Sequence, residues 1–245
     1  MIRGVFVTGT DTGVGKTRIA AGLLRRLRAA GIAAVPMKPV QTGATRDAQG
    51  RITAPDLEEA LALAGLSASP AQREDLSPYV FEPPCSPHLA AWLAGRRIDL
   101  ARIGTAAARL SALHGAVVVE GAGGILVPLG PRATMLDLAA ALGLPAVVVA
   151  RAGLGTLNHV LLTLDALRRG GVRVAGVVLN DTEPPAEASR WLRDDNARTI
   201  EERGAPVLAR VPFCAGEPTA ALDAALGGID PRALLEPRRA PEERA

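Results

Sequence analysis

Aromatic residues and cysteines are scarce in this sequence of 245 residues, and their scarcity narrows what the protein can be. Two tryptophans, one tyrosine and three phenylalanines leave leucine, valine, alanine and isoleucine to build the core. Two cysteines, Cys85 and Cys214, provide neither a disulfide framework nor a metal cluster, which fits a reducing cytosol. The three histidines lack the spacing of metal ligands.

Long apolar runs and a large excess of one charge are also absent. No apolar stretch is long enough to span a bilayer and no signal peptide is recognisable, so we expect a cytoplasmic protein without a membrane-spanning segment. The formal net charge of +3 is dispersed and does not predict nucleic-acid binding. The densest basic stretch, Arg25, Arg26 and Arg28, is typical of a solvated helix face.

A glycine-rich loop between Val5 and Thr17 is the strongest motif that is present. The stretch V-F-V-T-G-T-D-T-G-V-G-K-T places an apolar run before the loop and a lysine at the start of a predicted helix. Amides of such a loop bind phosphate oxygens, while Lys16 reaches the β- and γ-phosphates and the Thr17 hydroxyl ligates Mg²⁺. Five residues separate Gly9 from Gly15, one more than usual, so the motif is a variant P-loop. A glycine-rich turn with a solvated lysine is the alternative.

Charged groups also follow other predicted strands. Glu120 ends an apolar run and precedes Gly121-Ala122-Gly123-Gly124, where a carboxylate facing a P-loop is a typical direct or outer ligand of Mg²⁺. Lys38 lies in K-P-V-Q-T-G, and it could neutralise phosphate charge with a hydroxyl from Thr42 nearby. The alternatives are a salt-bridged or helix-capping glutamate and an ordinary surface lysine.

Three further polar positions are candidates for the same site. Asp56 opens a predicted helix, where a helix-capping role is equally consistent. The stretch Gly153–Asn158 begins a helix without a lysine, so its amides with Thr156 and Asn158 suit a carboxylate, unless they form an ordinary helix start. Asn180 ends a strand where nucleotide-binding folds often recognise a base, although the N-K-x-D signature of guanine specificity is absent.

Apolar strands alternate with amphipathic helices along the chain. After a first strand ending at Thr8, we predict strands over residues 33–40, 116–120, 146–150, 172–179 and 206–211. We predict helices over residues 16–30, 56–64, 88–95, 99–113, 134–142, 155–169 and 186–203, a segment over 220–226 that closes the fold, a mobile loop over 44–55, and irregular chain with some helix over 67–87. This order predicts a P-loop NTPase-like α/β fold, a mostly parallel β-sheet with helices on both faces. We expect one domain over residues 1–235 and a disordered tail over 236–245.

Five motifs in order resemble those of one family. They are G-T-D-T-G-V-G-K-T, K-P-V-Q-T-G, S-P-H, V-E-G-A-G-G and L-N-D, and together they resemble dethiobiotin synthetases over roughly residues 5–215. The resemblance implies a ligase of biotin biosynthesis that converts 7,8-diaminononanoate (7,8-diaminopelargonate) and CO₂ to dethiobiotin through a carbamate and a carbamic–phosphoric anhydride. It implies ATP and Mg²⁺ as cofactors and a homodimer. No Ser/His/Asp or Cys/His arrangement stands out, which agrees with attacking atoms supplied by the substrate.

The resemblance also implies roles for individual residues. The metal ligands would be Thr17, Asp56 and Glu120. The groups that hold phosphates and carbamate would be Lys16, Lys38, Thr12 and Thr42. The remaining nucleotide contacts would come from Gly13, Val14, Gly15, Gly121, Gly123, Asn180, Asp181, Pro212 and Phe213. The substrate would also contact Ser86 and, from the partner subunit, Gly155, Thr156 and Asn158.

Some positions depart from the family pattern. Gly13 stands where some members carry glutamate, and Thr42 replaces a serine but keeps the hydroxyl. The assignment of Asp56 crosses a loop of variable length, with Asp47 as a poorer alternative.

Two other functions remain open from the sequence. A P-loop amide-forming ligase of the corrin-amidation type usually carries a glutaminase part with a reactive cysteine, for which 245 residues leave no room. A partition-type regulatory ATPase uses a second lysine early in the P-loop, where Thr10 and Asp11 stand here.

Overall fold

The computed structural model describes residues 1–184 and 190–235. In chain order its strands are β1 (Gly4–Gly9), β2 (Ala34–Met37), β3 (Val40–Gln41), β4 (Thr45–Arg46), β5 (Ile52–Thr53), β6 (Tyr79–Val80), β7 (Ala116–Gly124), β8 (Ala146–Arg151), β9 (Val174–Asn180) and β10 (Val207–Val211). Six of them form one parallel sheet in the order β10-β9-β8-β1-β7-β2. The predicted mostly parallel sheet is therefore confirmed.

Helices cover both faces of this sheet. They are α1 (Lys16–Ala29), α2 (Pro55–Leu63), α3 (Pro70–Leu76), α4 (Pro87–Leu93), α5 (Leu100–His114), α6 (Met135–Leu142), α7 (Thr156–Arg169), α8 (Arg190–Glu202), α9 (Thr219–Leu226) and α10 (Pro231–Leu235). Apolar residues of α1, α9 and α10 form one buried layer with the sheet, and those of α5, α6, α7 and α8 form another on the opposite face. Among the helices in the described ranges, none combines the length and hydropathy needed to cross a bilayer.

Successive residues of a strand enter the two layers alternately. In β1, Val5 and Val7 belong to the layer that contains Leu23 of α1, whereas Phe6 belongs to the layer that contains Leu138 of α6. Because both sheet faces are buried, the strands are apolar without alternation, as the sequence shows.

The start and end of α6 follow the local sequence closely. The Thr134 hydroxyl accepts a hydrogen bond from the Asp137 amide, and the Asp137 carboxylate accepts one from the Thr134 amide. Gly143 ends the helix in the left-handed conformation, with φ at 66°. This capping box and glycine stop confirm the helix predicted over 134–142.

The strand predicted over residues 33–40 is interrupted in the structure. Strand β2 ends at Met37, and the Lys38 amide donates to the Leu76 carbonyl oxygen at 2.8 Å instead of continuing the sheet. Pro39 follows and has no amide hydrogen to offer a neighbouring strand. The break places Lys38 at the carboxyl end of β2.

Elsewhere the connections contain more regular structure than predicted. Residues 44–55, predicted as a loop, contain the antiparallel pair β4 and β5, joined by a turn in which the Asp47 carboxylate accepts two backbone amides. Residues 67–87 contain α3 and β6, and α10 was not predicted. The predicted tail over 236–245 and part of the helix predicted over 186–203 lie outside the described residues.

Candidate active site

The loop between β1 and α1 is shaped by its glycines and by an asparagine from β9. Gly13 and Gly15 have φ of 74° and 92°, a region that favours glycine. A Cβ atom on Gly15 would lie 2.2 Å from Asn180 Nδ2. The same Asn180 amide donates to the carbonyl oxygen of Val14 at 2.9 Å. We expected Asn180 beside the nucleotide base. In this structure its side chain is hydrogen-bonded to the backbone of the P-loop.

Lys16 is the first residue of α1 and lies inside this loop. Its side chain is 7% exposed, and Nζ donates to the Asp11 carbonyl oxygen at 2.8 Å. Burial, followed by the nearby charge of Lys38, lowers the pKa of Lys16 from 10.5 to about 8. An ammonium held by a neutral carbonyl is suited to receive a phosphate.

Four segments distant in sequence meet at Lys38. Its Nζ lies 2.6 Å from Asp56 Oδ2 at the start of α2 and 2.7 Å from Glu120 Oε1 on β7. The Thr17 hydroxyl in α1 donates to the same Glu120 oxygen at 3.0 Å. Lys38 and Glu120 are each 4% exposed. The structure thus brings Lys38 together with the three predicted metal ligands, Thr17, Asp56 and Glu120.

The carboxylates keep the buried Lys38 side chain charged. Burial by itself lowers the pKa of Lys38, but the opposite charges of Glu120 and Asp56 and their hydrogen bonds outweigh it, and the pKa is raised above 10.5. The cluster therefore contains an ammonium and two carboxylates in direct contact.

Gln41 is a site residue to which the sequence analysis assigned no role. Its Oε1 accepts the Asp56 amide at 3.2 Å, and its Nε2 donates to the Thr42 carbonyl oxygen at 2.8 Å. Gln41 is buried. It joins the loop after β3 to the first turn of α2 and so fixes where the Asp56 carboxylate lies. Gln41 lies between Lys38 and Thr42 in the motif K-P-V-Q-T-G, and this position was the sequence feature that could have identified it as a site residue.

A cleft of about 1030 Å³ opens at the carboxyl ends of the strands. Most of the predicted residues line it: Thr12, Gly13, Gly15, Lys16, Thr17, Lys38, Thr42, Asp56, Ser86, Glu120, Gly123, Asn180, Asp181, Pro212 and Phe213. Val14 and Gly121 take part through their carbonyl oxygens, the second at 3.4 Å from Lys38 Nζ. Residues of the lining that the sequence analysis did not single out for the site include Arg18, Glu59, Cys85, Cys214 and Leu222.

The start of α7 does not line this cleft. Gly155 caps the helix with φ at 88°. Thr156 is buried, and its hydroxyl has no hydrogen-bond partner in the part of the chain that the structure describes. Asn158 is exposed. These three predicted substrate contacts therefore lie apart from the other site residues within one chain.

The donor set around Lys38 fits a magnesium ion. Mg²⁺ prefers oxygen ligands and is commonly held by one or two carboxylates together with phosphate oxygens and water. Thr17, Asp56 and Glu120 supply a hydroxyl and two carboxylates around one cationic group. Among residues 1–184 and 190–235, no group of three or more His, Cys, Asp or Glu side chains is placed to hold a metal. The phosphates of a nucleotide would have to complete the coordination.

Three features define a P-loop NTPase: a parallel sheet with a glycine-rich loop after β1, a lysine at the end of that loop, and a carboxylate on β7. Strand β7 continues to Gly124, four residues beyond the strand end predicted at Glu120. A family model described as "AAA domain" matches residues 3–216. Among solved structures, the septum site-determining protein MinD complexed with Mg-ADP from Pyrococcus horikoshii OT3 has a TM-score of 0.53 and 17% identity, covering 94% of this chain and 88% of that one. At this identity the likeness concerns the fold.

Closer relatives specify the family. ATP-dependent dethiobiotin synthetase BioD from Anaeromyxobacter sp. (strain K) is 53% identical over 236 residues, 86% of this chain and 100% of that protein. The protein of the same name from Pseudomonas paraeruginosa is 43% identical over 222 residues, 90% of this chain and 94% of that protein. The chain belongs to the ATP-dependent dethiobiotin synthetase family, and it is an enzyme of the ligase class. The resemblance drawn from five motifs is confirmed.

Proposed function

We propose that this protein catalyses the ATP- and Mg²⁺-dependent carboxylation and ring closure of 7,8-diaminononanoate with CO₂ to dethiobiotin. The observation that carries the proposal is the convergence of two lysines, two carboxylates and a threonine on one end of the cleft, namely Lys16, Lys38, Asp56, Glu120 and Thr17. Such an arrangement stabilises charge on a phosphoryl group during transfer. The names of the relatives support the choice of substrate.

The lysines act on the charge that develops during the reaction. One substrate amine attacks CO₂ and loses a proton to solvent, which gives a carbamate. The carbamate oxygen then attacks the γ-phosphorus of ATP and displaces ADP. Lys16 holds the β- and γ-phosphates, and Lys38, with the hydroxyls of Thr12 and Thr42, stabilises the carbamate and the transferred group. The second amine then attacks the carbonyl carbon of the anhydride, phosphate leaves with the bonding electrons, and the amine releases its proton.

Thr17, Asp56 and Glu120 are the residues that would hold Mg²⁺. A magnesium ion there would supply positive charge that offsets the charge of the phosphates. Gln41 keeps Asp56 in position for this role, because it binds the Asp56 backbone amide.

Nothing in the cleft calls for a covalent enzyme intermediate. Cys85 and Cys214 line it, but no histidine is found in that lining within the described ranges. A cysteine or serine nucleophile normally needs an adjacent base. This supports a reaction in which the carbamate oxygen and the second amine are the attacking groups.

The adenine of ATP and the carboxylate of the diamine would lie in different parts of the site. We place the adenine near Asn180, Asp181, Pro212 and Phe213, which line the end of the cleft formed by β9 and the chain after β10. We place the substrate carboxylate on Gly155, Thr156 and Asn158 of a partner subunit, because the same chain does not bring them to the cleft. The proposal therefore includes a homodimer, and a cytoplasmic location where ATP is supplied. Ser86 would contact the chain of the diamine.

A coupled assay of ADP release tests this function. We expect release that requires diaminononanoate and bicarbonate together, with dethiobiotin formed in equal amount. Lys16→Ala and Lys38→Ala should abolish product formation and retain the fold by circular dichroism, whereas Arg26→Ala, on the far part of α1, should keep it. Slow ATP hydrolysis that is indifferent to the diamine would instead indicate a regulatory ATPase.

A further inference from the structure

The carboxylate oxygens that would bind a metal already contact the ammonium group of Lys38. An ammonium group has three donors. Those of Lys38 are directed at Asp56 Oδ2 (2.6 Å), Glu120 Oε1 (2.7 Å) and, more weakly, the carbonyl oxygen of Gly121 (3.4 Å). Lys38 is 4% exposed. In this state it has no donor free for an anionic substrate, so it must move before it can contact one.

We propose that the Lys38 ammonium and a divalent cation are alternative occupants of the site formed by Thr17, Asp56 and Glu120. Entry of the metal displaces Lys38 and frees its ammonium for the anion bound in the cleft. That last use of Lys38 rests on the proposed function, but the exchange itself does not. It orders the reaction, because Lys38 becomes available only after the metal is in place.

The charges of the cluster favour a cation at this position. The Glu120 carboxylate is buried, whereas the Asp56 side chain is 34% exposed. A buried carboxylate is costly without a counter-charge, and the second carboxylate near the same ammonium adds to the negative charge that a cation must offset. With Lys38 between them, the group of Lys38, Asp56 and Glu120 has a net charge of −1, and replacing the ammonium by a divalent cation makes it neutral. Glu120 Oε1 also accepts the Thr17 hydroxyl, so a metal there takes over two existing contacts.

The composition of the chain indicates that lysine, rather than arginine, is needed at two positions. Lys16 and Lys38 are its only lysines, and every other member of its 28 lysines and arginines is an arginine. A compact ammonium on a flexible stem can leave a site of single-ion size, whereas the planar guanidinium makes forked contacts that a metal ion does not imitate. Both lysines line the cleft.

Metal binding to the nucleotide-free protein tests the exchange. The probe is Mn²⁺, titrated without nucleotide or diamine and followed by the electron paramagnetic resonance of the free ion. We expect Lys38→Met to bind Mn²⁺ at least about ten-fold more tightly than wild type, because the internal competitor is gone. The matched control is Arg18→Met, which removes the same charge beside Thr17 and should stay within about two-fold of wild type. Equal affinities of Lys38→Met and Arg18→Met would overturn the proposal.

A double variant and a second measurement keep the test decisive. Lys38→Met with Glu120→Gln should lose the gain in Mn²⁺ affinity, because a carboxylate ligand is lost with the lysine. Should Lys38→Met fail to fold, wild type with ¹⁵Nζ-labelled lysine gives two side-chain signals, assigned with Lys16→Arg. Mg²⁺ with ADP should shift the Lys38 signal, whereas ADP alone should not. A Lys38 signal unchanged by Mg²⁺ contradicts the exchange, while exchange without dethiobiotin formation would refute only the proposed function.

Discussion

Lys16 and Lys38 carry the same group in opposite surroundings. Lys16 donates to a neutral carbonyl oxygen and its pKa falls to about 8, whereas Lys38 contacts two carboxylates and its pKa rises. The first is therefore a proton-exchanging group near physiological pH, and the second stays charged throughout. At the scale of single residues, pH should act on nucleotide binding through Lys16.

We predict that nucleotide binding takes up a proton above neutral pH. In the free protein Lys16 loses its proton as pH rises through about 8, and a bound phosphate favours the ammonium and raises its pKa. Affinity for ADP should therefore be full below this pKa and fall as pH rises above it. Calorimetry at pH 8.5 in buffers of different ionisation enthalpy should show uptake of more than about half a proton. Lys16→Arg, which stays charged, should show none, and equal uptake in both proteins would contradict the assignment.

At the scale of elements, the P-loop has its shape because β9 supports it. Gly15 is left-handed and its α-hydrogen faces Asn180, whose amide holds the Val14 carbonyl oxygen. The loop, the start of α1 and the end of β9 therefore act as one unit.

We predict that Gly15→Ala breaks this unit. The left-handed backbone alone should lower the free energy of unfolding by about 1–2 kcal/mol, and the clash with Asn180 should abolish ADP binding. Gly104→Ala in α5 is the matched control, since a Cβ there meets no atom within 4 Å. It should raise stability by up to about 1 kcal/mol and leave ADP binding unchanged. Urea denaturation and calorimetry measure both effects, and normal ADP binding by Gly15→Ala would contradict the role of this contact.

The capping box of α6 yields a second prediction at this scale. Thr134→Ala removes the hydroxyl that accepts the Asp137 amide and should lower the free energy of unfolding by about 1 kcal/mol. Thr105→Ala in α5 is the control, because its exposed hydroxyl bonds a carbonyl within its own helix, and its effect should stay within about 0.5 kcal/mol. Indistinguishable denaturation midpoints for the two variants would show that the capping box contributes nothing measurable to the free energy of unfolding.

At the scale of the whole molecule, we predict that two inactive subunits complement each other. In the proposed homodimer, a mixed dimer of one Lys38→Ala chain and one Asn158→Ala chain would have two sites. One of them would combine an intact Lys38 with an intact Asn158 of the other chain. Dethiobiotin formation should reappear after unfolding and refolding the two variants together, but not after refolding either one alone. Absence of activity in the mixture, with dimers present by ultracentrifugation, would place both residues in the same subunit's site.

The outcome of the sequence analysis depended on how local each signal is. The P-loop and the caps of α6 are encoded within a few residues, because glycine conformations and side-chain bonds to nearby amides are local interactions. The break at Pro39 and the role of Gln41 depend on contacts with residues distant in sequence, and the sequence analysis missed them. The turn around Asp47 is local, because its carboxylate accepts the amides of residues two and four positions further along, and the sequence analysis missed it as well. The single domain over residues 1–235 stays a proposal, supported by one sheet that takes strands from β1 to β10.

The order of apolar and polar residues by itself determined the alternation of strands and helices and the parallel sheet. Short motifs determined the phosphate-binding loop and the family, because their residues are close together in the sequence. Only the tertiary structure decided that the Lys38 ammonium sits between Asp56 and Glu120 and that Asn180 supports the P-loop. Parallel strands end at one edge of the sheet whatever their separation in sequence, so charges from distant segments meet there. Which of them touch depends on packing that no single segment contains.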